Sequence, residues 1–222
     1  MPDSVDPTSA TPEAAEPQPT PAPRSGRGRV RLRRSALMAI PACVAGGVLM
    51  AMTAQGVLGA QFAISGMAFT VTADHLHGDG FEQFGDMDNM IPNSPNQGNT
   101  GGQVLVAVSA IKQGWLTNLC QSVNLGGTNL KITAGDAGTP VTANGLTTDS
   151  DLLSGDASFK NIQIGGDAST FNEVPGVQGN QGVFGQQADT VDILNLRQDN
   201  YATTAAKFNL PHLRLSFSDT GC

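Results

Sequence analysis

The chain has 222 residues, of which 5 % are aromatic and 14 % charged, with 27 Gly and 13 Pro. That length holds one ordinary domain with appendages, or two small domains. Twelve basic residues against 19 acidic ones give a net charge of −7, which offers no footprint for a phosphate backbone and excludes nucleic acid as the expected partner.

The charge is unevenly laid out. Residues 1–34 carry six Arg and four acids, residues 35–60 carry none, and residues 61–222 carry six basic and 15 acidic residues. Segment 1–34 opens as a Pro-, Ala-, Thr- and Glu-rich run with almost nothing to bury. Such a composition cannot offset its ordering entropy, so a disordered tail is expected. The tail ends in RSGRGRVRLRR, with Arg24, Arg27, Arg29, Arg31, Arg33 and Arg34 against a hydrophobic stretch. A basic run in that place reads as cytoplasmic retention at a membrane.

Residues 35–60 read SALMAIPACVAGGVLMAMTAQGVLGA. As a helix they would extend about 39 Å, against a hydrocarbon core of about 30 Å. Pro41 falls near the cytoplasmic end, and Gly46 and Gly47 are tolerated in membrane helices. The segment predicts a single-pass signal anchor, N-terminus cytoplasmic and residues 61–222 extracellular. The alternative is a long signal peptide cut near Ala54-Gln55-Gly56, which would leave the domain secreted. Arg33-Arg34 as a twin-arginine signal and Ile40–Cys43 as a lipoprotein box are weaker readings of the same stretch.

Residues 61–222 alternate apolar and polar in short bursts: Phe62–Ile64, Met67–Val71, Val104–Val108, Leu130–Ile132, Lys160–Ile164, Val191–Ile193, Phe208–Leu210 and Leu213–Phe217. Gly, Asn, Asp and Ser separate them, and no stretch holds helical periodicity for a dozen residues. This predicts an all-β domain of short strands. A weak echo at Thr72–Leu76, Thr142–Leu146 and Ala188–Val191 reads as small-residue turns leading into strands. It suggests a layered or solenoid-like sheet, or a sandwich of hairpins. Asp86–Gly102 holds no evident strand and is expected as a long exposed loop.

Cys43 lies in the hydrophobic segment, so Cys120 and Cys222 are the two thiols of the exported part. Two is the number that makes one bridge, and an oxidising compartment permits it. The other reading is two separate thiols, with Cys222 free or pairing between chains.

The segments Met67–Gly85, Gln113–Val123, Ala143–Gly165, Phe184–Leu196 and Tyr201–Cys222, the last closing on SFSDTGC, resemble a family of actinobacterial membrane-anchored or exported proteins of unknown function. The resemblance covers nearly all of 61–222. It implies the anchor topology, the Cys120–Cys222 pairing and a small multi-pass membrane protein as partner. Some members carry the label "cholesterol esterase".

The residues give that label little to stand on. No G-x-S-x-G elbow occurs. Of the three histidines, His212 follows Pro211 in an alternating stretch and reads as a partly buried structural residue. The densest polar cluster is Asp74-His75-Leu76-His77-Gly78-Asp79-Gly80. His75 and His77 on a strand would share one face, and with Asp79 they are weak metal candidates. Two histidines do not close a site, and the same residues read as a surface turn. Leu76 and Gly78 stand where a Ca²⁺ loop needs oxygen ligands. Asp86 and Asp88, like Asp149, Asp151 and Asp156, are either weak Ca²⁺ ligands or solvated turn residues. Trp115 near Cys120 is expected in core packing.

No catalytic residue and no cofactor are therefore expected. The reading is a non-catalytic structural or interaction protein of the cell envelope, with the membrane and a membrane protein as partners. The alternative is a lipid-binding module, and a lipid esterase is a distant third.

Overall fold

The structure, a computed structural model, describes residues 62–222. The expected tail and membrane segment lie outside the described residues. Among the described residues no helix is long and apolar enough to cross a membrane.

Nine strands form one sheet in which every pairing between them is antiparallel. They are β1 (Phe69–Asn89), β2 (Gln103–Thr117), β3 (Leu119–Asn124), β4 (Asn129–Ala134), β5 (Val141–Lys160), β6 (Gln163–Asp167), β7 (Phe184–Thr204), β8 (Lys207–Asn209) and β9 (Arg214–Ser218). One 3₁₀ turn, Ala168–Thr170, is the only helical element among them. The all-β expectation holds.

The arrangement is a single sheet rather than stacked layers or a sandwich. The four long strands close a circuit: β1 pairs with β2, β2 with β5, β5 with β7, and β7 with β1 again. Closure removes the exposed edges of these strands. A four-strand circuit is narrow, so its interior is filled by side chains. Leu76, Phe81, Ile111, Leu116, Val141, Leu146, Val191, Ile193 and Leu196 meet there, all 5 % exposed or less. Gly78 keeps the walls together, because a Cβ at that position would come within 2.9 Å of Ile111 and 3.0 Å of Val191.

Strands of about 20 residues contradict the short strands expected, and the reason is local. Along β1 the buried residues run Val71, Ala73, then Leu76, Gly78, then Phe81. The two-residue period slips at Asp74 and again at Gly80, which has φ +66°. Along β7 the buried set runs Ala188, then Val191, Ile193, then Leu196, Gln198, with Asn195 at φ 53°. The β1–β7 register runs unbroken past both positions (Ala73 opposite Leu196 and His75 opposite Leu194; Asp79 opposite Thr190 and Phe81 opposite Ala188), so the paired strands change face together, through left-handed residues such as Gly80 and Asn195, without ending. Asn tolerates that conformation better than other residues with a Cβ. Three such Asn are tied down by an Asp: Asn118 Nδ2 donates to Asp74, Asn161 Nδ2 to Asp189 and Asn195 Nδ2 to Asp156.

The three echoed segments expected as turns therefore lie inside β1, β5 and β7. The expected loop Asp86–Gly102 is also shorter, since β1 continues to Asn89, its residues 86–89 pairing with 103–106 of β2. Phe62–Ile64 makes only an isolated parallel bridge, Ile64 to Met90. Gly165 and Gly166 belong to β6, at a register shift.

The connection between β6 and β7 folds back over the outside of the circuit. Phe171 and Ala168 pack there on Phe84, Val106 and Val108, forming a second core. Asp167 caps the 3₁₀ turn, accepting from Ser169 N at 3.0 Å and from Gly182 N at 2.9 Å. On the other flank β3, β4 and β9 continue the sheet from β1 as a flap.

Candidate functional site

His75 and His77 stand on the outer face of β1, as their spacing dictates. The segment is strand, so the surface-turn reading of Asp74–Gly80 is corrected. Antiparallel register sets Asp192 of β7 directly opposite His77 and Trp115 of β2 on its other side. The Asp192 Oδ1 atom lies 2.9 Å from His75 Nε2 and 2.9 Å from His77 Nδ1. Asp79 Oδ1 is 3.5 Å from His77 Nε2. The Trp115 ring lies over His77, with centroids 5.4 Å apart and planes 31° apart, so it is an outer-face residue instead of the core residue expected.

The structure thus brings His75, His77 and Asp79 together and adds Asp192, which the sequence reading did not single out. Its only signal is a polar residue between Val191 and Ile193, and its partner is more than a hundred residues away. The hydrogen bond with His77, seconded by that with His75, holds the Asp192 carboxyl below the usual carboxylate range. The arrangement lets one carboxylate oxygen accept an N–H from each of two imidazoles. Ser158 of β5 is the next residue in the row, opposite Asp192. No hydrogen bond joins it to either histidine among the described residues, whereas a serine nucleophile needs its base within hydrogen-bond reach. Among the described residues no three His, Cys, Asp or Glu side chains are grouped to hold a metal ion. Asp192→Asn is expected to cost less than about 1 kcal/mol, because the cluster is exposed. It should still release both rings, which the imidazole nitrogen shifts of His75 and His77 in NMR would report.

Other carboxylates converge elsewhere. Asp86 and Asp88 of β1 and Asp149 of β5 line an open cavity of about 360 Å³ beside Phe62, Ile64 and Phe84. Burial, then the like charges of Asp88 and Asp86, push Asp149 up to about 7. Asp88 is raised by burial and by Asp86, and its Oδ2 is buried without a partner. Asp151 and Asp156 are not part of this group: Asp151 accepts from Tyr201 Oη at 3.3 Å, and Asp156 from Asn195.

Glu82 was invisible as a special residue in the sequence. Its side chain is fully buried under the β6–β7 connection, where Oε1 accepts from Val174 N at 2.7 Å and Oε2 has no partner. Burial pushes its carboxyl up to about 7.

His212 is corrected. It lies in the turn before β9 with φ 56°, and its side chain is 54 % exposed, with Nδ1 2.7 Å from Asp136 Oδ1. Pro211 ends the preceding stretch, so the apolar alternation there spans a turn. Cys120 and Cys222 sit at disulfide distance, with Cα atoms 5.9 Å apart and a sequence separation of 102. The Cys222 amide donates to Ser122 Oγ at 2.8 Å, fixing the end of the chain on β3.

These features define a class: an all-β domain made of a single antiparallel sheet closed on itself. More particularly, residues 65–222 match the Family of unknown function (DUF6230), and the chain belongs to that family. No curated protein and no solved structure matches the chain.

Proposed function

We propose that this chain is a membrane-tethered, extracytoplasmic structural or interaction protein of the cell envelope that acts without catalysis. The observation that carries this reading is the uncharged stretch 35–60, which follows six arginines and leads directly into the β domain. The positive flank would stay in the cytoplasm and the β domain would be carried across. A disulfide-distance cysteine pair fits an oxidising compartment. The outer-face histidines meet a carboxylate and a Trp, with no serine hydrogen-bonded to them among the described residues, which disfavours the esterase label as a guide to chemistry. An actinobacterial source and a multi-pass membrane partner belong to the same proposal.

A lipid-binding module is the second reading. It is favoured by a shallow apolar concavity lined by Phe62, Phe69, Tyr201 and Phe208. The barrel interior itself leaves only about 30 Å³ of free space, whereas ligand cavities run to roughly 300–1,000 Å³. A lipid would therefore have to lie on the surface.

Native mass spectrometry of the protein purified from its own membrane in mild detergent separates these readings. A second polypeptide at fixed stoichiometry is the expected result. A lipid mass that survives exchange would replace the scaffold reading with the lipid-binding one. Extraction of the chain from membranes by alkaline carbonate would overturn the tether.

A further inference from the structure

We infer that the flap formed by β3, β4 and β9, together with Phe62 and Phe208, lies against the lipid surface of the bilayer that anchors the chain. This rests on the reading of residues 35–60 as a membrane anchor and adds to it a docking face with a stated occupant.

The face is built by register. Val71 of β1 is opposite Gln121, Gln121 is opposite Ile132, and Ile132 is opposite Leu215. Directly paired residues share a face of the sheet. Val71 belongs to the barrel core, so the row carries the inner, apolar face of the barrel outward onto the flap. A second row runs from Val123 through Leu130 to Phe217. By alternation Leu213 stands on the same side. Inside the barrel this face is covered. On the flap it is not: Leu213, Leu215 and Phe217 are 55 %, 59 % and 68 % exposed. Gln121 also borders the concavity that holds Phe62, Phe69 and Phe208, which joins the flap to the start of the domain.

Two observations select a lipid surface as the occupant. The first is where the chain comes from. Phe62 follows Ala60 by two residues, at most about 7 Å of extended chain. A domain so tethered holds this face at the membrane surface. The second is charge. β3, β4, β8 and β9 contain Lys131, Lys207 and Arg214 and not one acid, with Asp136 and Asp219 only in the adjoining turns. The rest of residues 61–222 has 15 acids and three bases. The strands that leave Leu215 and Phe217 bare are thus part of the base-bearing, acid-free group of an otherwise acidic domain. Anionic headgroups attract such a surface. Lys131 and Arg214 alternate with the apolar row and stand on the reverse of the flap, one strand thickness away and inside a Debye length of about 8–10 Å.

The test uses the full chain with Phe217→Trp, reconstituted in phosphatidylcholine–phosphatidylglycerol vesicles with and without brominated acyl chains. The parent chain, which retains Trp115, supplies the background. The expected result is a blue-shifted added emission that is lost in the brominated vesicles, and less completely lost when phosphatidylglycerol is omitted. An added emission characteristic of water and indifferent to bromine would overturn the inference. A blue-shifted emission that bromine does not quench would also overturn it, showing a protein occupant in place of lipid. Leu215→Trp provides a second position should Phe217→Trp fail to fold. Alkaline carbonate extraction of the same vesicles reads the anchor separately: a chain that stays in the pellet yet shows unquenched emission has its tether and lacks the docking face.

Discussion

Replacing Cys222 by Ser is expected to lower the unfolding free energy by about 2–5 kcal/mol, the cost usual for a native disulfide in a small domain. The pair spans 102 residues of sequence, and the chain-entropy account assigns a loop of that length up to roughly 4.7 kcal/mol. The geometry explains why the loss would be spread over more than one strand. Cys120 is on β3, which pairs with β1 on one side and β4 on the other. Cys222 lies four residues after β9, whose only strand partner among the described residues is β4. Without the pair, β9 and the residues after it are held by five register pairs, by the Cys222 amide on Ser122 Oγ, and by Asn129 and Arg197 side chains donating to the carbonyls of Ser218, Asp219 and Cys222. Amide exchange would therefore rise first in β9 and β4, and the barrel strands would follow only at global unfolding. Denaturant melts of the parent and Cys222→Ser chains, with exchange mapped by mass spectrometry, check both parts. Equal midpoints in the two chains would show that the pair contributes nothing.

The β class was legible because the alternation is real wherever a strand keeps its phase, as at Val104–Val108 and Val191–Ile193. The length of the strands was not. Asp74, Gly80 and Asn195 each slip the period by one, so a single strand reads as several bursts separated by what resemble turn residues. A left-handed residue inside a strand and a turn draw on the same residue types, and only the partner strand distinguishes them. The closed circuit was hidden for a related reason. Its last seam joins β1 to β7 across more than a hundred residues, and no local pattern announces which strand will close on which. The candidate site divides along the same line. His75, His77 and Asp79 fall within five residues and could be seen; Asp192 reaches them only through the β1–β7 seam. Glu82 is buried because a connection folds over the outer face of β1, where strand alternation alone places a solvated side chain.

That buried carboxylate sets the second large effect, which is a stability that falls as pH rises toward neutrality. Glu82 is raised from 4.5 to about 7, chiefly by burial, with Glu173 adding repulsion and the amides of Val174 and Glu173 opposing it. Between those two values the folded chain keeps a proton that the unfolded chain has released. Stability then declines with pH across the interval, from its full value below about 4.5 to a plateau above about 7. The whole change for this group corresponds to roughly 3 kcal/mol. Asp149, raised to about 7 by burial and by Asp88 and Asp86, acts with the same sign. Asp192, held low by its histidines, acts with the opposite sign, with loss only in more acid solution. The chain should accordingly melt higher at pH 5 than at pH 8. Glu82→Gln isolates the Glu82 share, since the amide oxygen can still accept from Val174 N while the charge is gone. The variant should lose the decline that Glu82 causes and surpass the parent at pH 8, leaving the slope due to Asp149. Melting curves of the two chains across pH 4–9 would decide it, and parallel profiles would show that Glu82 titrates alike in the folded and unfolded chains.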